Sequence, residues 1–215
     1  SELLTVLFAG DIMDHKPNYL MDDFNDIYAD IKTIVSSTDL SLANIEAPVD
    51  DKLPFSTYPT FNMKNSYVQA AIDAGFNVFS LANNHTNDQG LEGILETYNY
   101  FVNKEAETSG TDRPVYACGI KKAENDPPLT YKVIEVKGWK ILFAAVTELL
   151  NAPSYKKYID YLNPSEETRN LFIEQLVELR NNNPCDLFIL SIHCCEPEYI
   201  RTVNQKQNVF YRKLL

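Results

Sequence analysis

The 215 residues are 45% hydrophobic and 23% charged, the ordinary balance of a chain that folds around a core, which argues against wholesale disorder. A formal charge of −11 disfavours nucleic acid and anionic membrane surfaces as partners, although a cation in the site would let so acidic a protein take an anionic substrate. No apolar run approaches the roughly 18–20 residues of a membrane span, and Cys118, Cys185, Cys194 and Cys195 include no CxxC pair, which excludes a zinc ribbon or a thioredoxin-type motif.

In chain order, short β-rich runs alternate with longer amphipathic segments, the pattern of an α/β fold. The start carries no basic region of the kind that opens a signal peptide. Residues 3–9 read as a buried strand stopped by Gly10-Asp11, and residues 22–36 place Phe24, Ile27, Ile31, Ile34 and Val35 at helical spacing. A second short strand is expected over 39–44, then a loop through Pro48, Pro54 and Pro59 with a short strand at 60–63. A helix over 66–74 ends at Gly75, and a third strand over 77–82 leads into a polar loop.

The next helix is expected over 90–104, with strands at 115–118, 130–136 and 140–146. Lys137-Gly138 reads as a hairpin turn joining the last two strands antiparallel. Residues 105–130 read as an excursion within one domain. Ser165 begins a helix that runs to about residue 180, residues 186–192 form a buried strand ending at His193, and a final helix starts near residue 202. That helix stops on Leu214-Leu215 with neither cap nor polar tail, so residues 1–215 read as a single domain, incomplete at the C-terminus.

Four strand ends deliver polar residues of the kinds that bind metals: Asp11, then Asn44 and Glu46, then Asn84 and His85, then His193. In open α/β sheets the crevice beyond the carboxyl ends of the strands is where ligands bind. Oxygen donors with imidazole suit a divalent ion such as Mn, Fe, Zn or Mg. Each piece alone also has a plain structural use, as a turn, a cap, a polar loop or a satisfied core histidine. The joint occurrence is more telling, because two of the three histidines fall at strand ends of this kind. His15, the third, is expected at the rim of such a site. Cys194 and Cys195 read as small residues flanking it.

FAGDIM, ANIEAPV, LANNHTNDQG and SIHCCEPEY, in this order, resemble the CapA-type family of capsule or poly-gamma-glutamate biosynthesis proteins, which are related to calcineurin-like metallophosphoesterases. The resemblance implies an α/β fold, a four-layer α-β-β-α sandwich of mixed β-sheets flanked by helices. It implies Asp11, Asn44, Glu46, Asn84 and His193 as metal-site residues at one or two divalent ions. His85 would be the general acid, Asp88 would orient it, and Glu198 and Tyr199 would stand on the substrate side. Two positions depart from the related phosphoesterases: Met13 stands where a ligand is usual, and Cys195 where the family has glycine.

The resemblance also implies a bacterial protein, extracytoplasmic or envelope-associated, acting on a phosphoester or an anionic polymer beside envelope polymer-synthesis partners. A hydrolase, a non-catalytic component of a polymer-synthesis or export assembly, and a metal-free ligand pocket remain the three functional classes in play.

Overall fold

The computed structural model describes residues 2–124, 126–194 and 204–215. Two sheets stack face to face. The first is parallel throughout, in the order β1 (Val6–Ile12), β2 (Leu40–Ile45), β3 (Val78–Ser80), β4 (Tyr116–Cys118). The second holds β5 (Tyr131–Val136), β6 (Trp139–Thr147) and β7 (Leu187–His193). β5 and β6 pair antiparallel across the turn at Lys137-Gly138, as expected, while β6 and β7 run parallel. The parallel strand β2 is buried along its whole length, which is why it reads as a short apolar run without clean alternation.

Three apolar clusters make the layers. Between the sheets, Leu40, Leu42, Val78 and Cys118 meet Ile134, Ile141, Phe143 and Ala145. Burying large side chains of this kind stabilises by about 1.5–3 kcal/mol each. On the outer face of the first sheet lie α2 (Asn65–Ala74) and α3 (Gly90–Thr108), through Tyr67, Val68, Ile94 and Phe101. On the outer face of the second lie α4 (Glu166–Asn182) and α5 (Gln205–Leu214), through Phe172, Leu176 and Phe210. The outcome is the expected α-β-β-α sandwich.

Several boundaries differ from the sequence reading. β1 does not stop at Gly10-Asp11 but continues to Ile12. Its pairing with β2 jumps from Phe8 opposite Leu42 to Asp11 opposite Asn44, so β1 carries one extra residue, a bulge. Because side chains alternate faces, the extra residue turns Asp11 to the side shared by Asn44, where an unbroken register would have faced it away. The helix expected over 22–36 is broken into a 3-10 turn at Phe24–Tyr28 and a short α1 (Lys32–Ser37). Asp23 caps the first turn through the Asn25 amide, Tyr28 turns inward against Phe76, and Ile31 and Ile34 stay exposed. The short strand expected at 60–63 is reduced to isolated bridges at Asn62 and Met63. α3 runs further than expected, to Thr108, and Ser165 caps α4 through the Thr168 amide as its spacing indicated.

Among the described residues, no helix is long and apolar enough to cross a membrane.

Two glycines stand at close backbone approaches. Gly75 (φ +114°) ends α2, and a Cβ there would lie 2.8 Å from the Ser36 backbone. Gly119 (φ +119°) follows β4, and a Cβ there would lie 2.7 Å from the Ala82 amide nitrogen, in the segment that leads to Asn83. Gly119→Ala therefore meets both a disfavoured backbone angle and a collision with main chain. The expected loss is about 2–3 kcal/mol, seen as a melting midpoint lowered by roughly 5–10 °C; an unchanged midpoint would show that this close approach is unimportant.

Candidate metal centre

The carboxyl ends of β1, β2 and β7 open onto one place. The bulge in β1 sets Asp11 beside Asn44, whose side-chain amide donates to Asp11 Oδ1 at 2.8 Å. Glu46 follows β2 directly, its backbone amide bonded to the Ile12 carbonyl at 2.9 Å. His193 is the last residue of β7, in the opposite sheet. Its Nε2 lies 3.5 Å from Glu46 Oε1 and 2.7 Å from Asn84 Oδ1. A recess of about 220 Å³ between the sheets is lined by Asp11, Asn44, Ser80 and His193, together with Leu42 and Phe143 from the inter-sheet layer.

Asp11, Glu46 and His193 each offer one ligand atom, and these three atoms lie within 4.8 Å of one another. Metal–ligand bonds of roughly 2.0–2.2 Å hold two ligand atoms of one ion no more than about 4.4 Å apart, so these atoms need at most a shift of a few tenths of an ångström to share one. The donor set, two carboxylates and an imidazole with an amide oxygen beside them, suits a divalent cation. Electrostatics argues the same way. Burial, then the hydrogen bond and charge of Asp11, and then the charge of Asp88 push the Glu46 carboxyl up to about 9. Two acids forced together in a recess repel when ionised, and a cation between them removes that penalty. Burial holds the His193 imidazole below its usual range, which keeps a neutral nitrogen ready to bind a metal.

Supports hold these groups in place. Both amide ends of Asn44 are engaged, with Asp11 on one side and the Asn83 amide donating at 3.2 Å on the other, so Asn44 stands behind the cluster as a brace. Asn83, fully buried, also donates to the Ile45 carbonyl and accepts from the His85 backbone amide. The His193 carbonyl accepts from the Glu148 amide at 2.9 Å. Glu148 is itself gripped by Arg169 at 2.7 Å, Gln207 at 2.9 Å and Tyr211 at 3.3 Å, which ties the end of β7 to α4 and α5.

His85 is buried beside this cluster. Its Nδ1 lies 2.7 Å from Asp88 Oδ2, and the same oxygen accepts from the Phe61 amide at 2.7 Å. With Nδ1–H committed to Asp88, Nε2 is left for other partners. The Phe61 ring meets those of His85 and His15 near-perpendicularly, with centroids 4.7 and 4.9 Å apart, and His15 is exposed and 3.4 Å from the Thr57 hydroxyl. Met13 packs against the core and offers only its carbonyl, to the Tyr67 hydroxyl. Cys194 is half-buried next to His193. Cys195, Glu198 and Tyr199 lie outside the described residues.

Residue types and strand-end positions single out Asp11, Asn44, Glu46, Asn84, His85 and His193, the resemblance adds Asp88, and the fold brings them into one neighbourhood. They do not single out Asn151. This residue lies on the loop after β6, where its amide group bridges Asn84 and His85. No local pattern marks it.

Two changes test the cluster. Asp11→Asn lowers Mn stoichiometry measured by elemental analysis, and an unchanged stoichiometry removes Asp11 from the ligand set. The second test is pH. A folded-state pKa for Glu46 above its unfolded value of 4.5 means that folding retains a proton, so the stability this group contributes is lost as pH rises toward about 9. His193 has the opposite sign but acts below 6.5, so the window of pH 7–9 reports chiefly on Glu46. In chelator, the melting midpoint falls across that window. Glu46→Gln flattens the fall, and Mn raises the wild-type midpoint most at pH 9; a slope identical in wild type and variant rejects this assignment.

Comparison with known proteins agrees with the fold. The model of the bacterial capsule synthesis protein family PGA_cap matches residues 5–215. A capsule biosynthesis protein, CapA of Bacillus anthracis, is 31% identical over 117 residues, which is 50% of this chain and 28% of that protein. A hypothetical protein from Thermus thermophilus superposes with a TM-score of 0.50 at 17% identity, covering 98% of this chain and 63% of that one. A novel phosphatase from Mycoplasma pneumoniae gives 0.51 at 16% identity, covering 98% and 59%. At such identities the two structures show a shared fold and nothing finer, and the chain spans less than two thirds of each relative's length. On the match over residues 5–215, the chain belongs to the bacterial capsule synthesis protein family PGA_cap.

Proposed function

We propose that this protein is a metal-dependent phosphoesterase-type hydrolase serving capsule polymer synthesis at the bacterial envelope. The observation that carries the reading is the meeting of Asp11, Glu46 and His193 from two different sheets, with the His85–Asp88 pair directly beside them. The residues fit a divalent ion by their donor chemistry and by the raised Glu46 carboxyl.

Asp11, Glu46, Asn84 and His193 would hold the ion. Once bound, a divalent ion supplies positive charge against phosphoryl oxygens and acidifies water. The protein's own part is positioning and proton transfer. Asp88 fixes the His85 ring through Nδ1, which leaves Nε2 as the nitrogen that donates the proton. In hydrolysis a water oxygen bonds to phosphorus and releases a proton to solvent, and the bond from phosphorus to the leaving oxygen breaks. His85, carrying a proton on each ring nitrogen, delivers the one on Nε2 to that oxygen and is then reprotonated from solvent. The burial of His85 and the neighbouring Phe61 ring limit access of bulk water to that proton.

The substrate class is a phosphoester or another bond in an anionic envelope polymer. The net charge of −11 makes a local cation the means by which such a substrate is accepted.

The test is hydrolysis of para-nitrophenyl phosphate esters by the Mn-loaded protein. His85→Ala is expected to lower turnover by about 10²–10⁴-fold while leaving Mn content intact. Loss of Mn in step with activity would move His85 from proton donor to ligand. Absence of turnover with Mn, Fe, Zn and Mg would reassign the chain to the non-catalytic class of capsule assembly component.

A further inference from the structure

The loop over residues 148–158 leaves β6 and folds across the Asn-His segment that precedes α3. Three attachments hold it there. The Asn151 backbone amide donates to the Asn84 carbonyl at 3.1 Å. The Asn87 side-chain amide donates to the carbonyls of Ala152 at 2.9 Å and Ser154 at 2.7 Å. A Cβ on Gly90 would stand 3.6 Å from the ring of Tyr155, so that ring closes over the first residue of α3. The loop is therefore built onto the proton-transfer pair from outside.

The Asn151 side chain has two ends with different partners. Its Oδ1 accepts from Asn84 Nδ2 at 3.2 Å. Asn84 can donate there because its own Oδ1 faces His193 Nε2 at 2.7 Å. This chain of contacts sets the orientation of the Asn151 amide and turns its Nδ2 toward His85. Nδ2 stands 3.3 Å from His85 Nδ1 and 3.5 Å from Nε2. A donor nearly equidistant from both ring nitrogens cannot point along either lone pair, since those directions diverge. Nδ1 is in any case committed to Asp88. Among the described residues, the Asn151 N–H groups thus have only these long contacts to the His85 ring, on an exposed residue.

We propose that Asn151 is a substrate-contacting residue, its side-chain N–H donating to the same phosphoryl or leaving-group oxygen that His85 Nε2 approaches. Two donors within 3.5 Å of each other can share one oxygen, and an anionic oxygen rewards both. The proposal rests on the phosphoesterase reading. It adds that the oxygen-binding position is completed by the loop after β6, and that it is oriented by a residue whose other amide end faces the metal-site histidine.

The test uses inorganic phosphate as the probe on Mn-loaded protein, with affinity measured by calorimetry, and the kinetics of para-nitrophenyl phosphate. Asn151→Ala removes both ends of the amide. Asn151→Asp keeps an oxygen for Asn84 and removes the donor. Both variants are expected to keep the wild-type Mn stoichiometry and melting midpoint. Each is expected to weaken phosphate binding by roughly ten- to a hundredfold, the weight of one hydrogen bond to a charged oxygen, with a matching fall in kcat/KM. Wild-type phosphate affinity in either variant overturns the proposal. Loss of Mn in proportion to lost phosphate binding also overturns it, because Asn151 would then act only by holding Asn84. Wild-type protein that loads Mn and binds no phosphate overturns the phosphoesterase reading and this inference together.

Discussion

The apolar layer between the two sheets is the constraint on which everything else depends. Leu40, Leu42 and Val78 from one sheet close against Ile141, Phe143 and Ala145 from the other. That contact, and no covalent or sequence-local link, sets the ends of β1 and β2 beside the end of β7. Asp11 and Glu46 belong to the first sheet and His193 to the second. Protein interiors pack at crystal-like density and resist sliding, so a filled layer of this kind holds the three strand ends in fixed relation. The outer helices act through the same layer. The grip of Arg169, Gln207 and Tyr211 on Glu148 carries α4 and α5 to the backbone of His193.

Against this rigid frame the site is locally unfavourable. Glu46 is buried next to Asp11, and its carboxyl is driven far above the ordinary carboxylate range. The core bears that cost because the frame does not yield. A buried acid held so far from its ordinary range is a common feature of functional sites. A bound cation would relieve both shifts, that of the raised carboxyl and that of the lowered imidazole, the first group by ionising and the second by offering its lone pair.

The sequence motifs reveal much of the site because they are short and sit at strand ends, where a local pattern announces both the strand and its cargo. NIE at the end of β2, NNH after β3 and the histidine that ends β7 all occupy the positions their patterns indicate. Other features depend on pairing between distant segments and leave no local trace. The bulge that turns Asp11 exists only relative to β2. Asn44 carries the residue type of a ligand, yet its amide is used at both ends by Asp11 and Asn83, which no spacing rule shows. The segment over 22–36 has helical spacing, but it is divided because Tyr28 is drawn in toward Phe76 while Ile31 and Ile34 have nothing to cover them.

By itself, then, the sequence determined the α/β alternation, the strand-end residues and the oxygen-plus-imidazole character of the site. Backbone periodicity and side-chain chemistry are properties of neighbours along the chain. The tertiary structure alone decided which strand ends meet and which amides brace them. It also decided that Asn151, 66 residues away from His85 in the chain, stands beside it. Those outcomes follow from how two sheets and their loops fill space against each other, and close packing is a relation between segments that linear order does not encode.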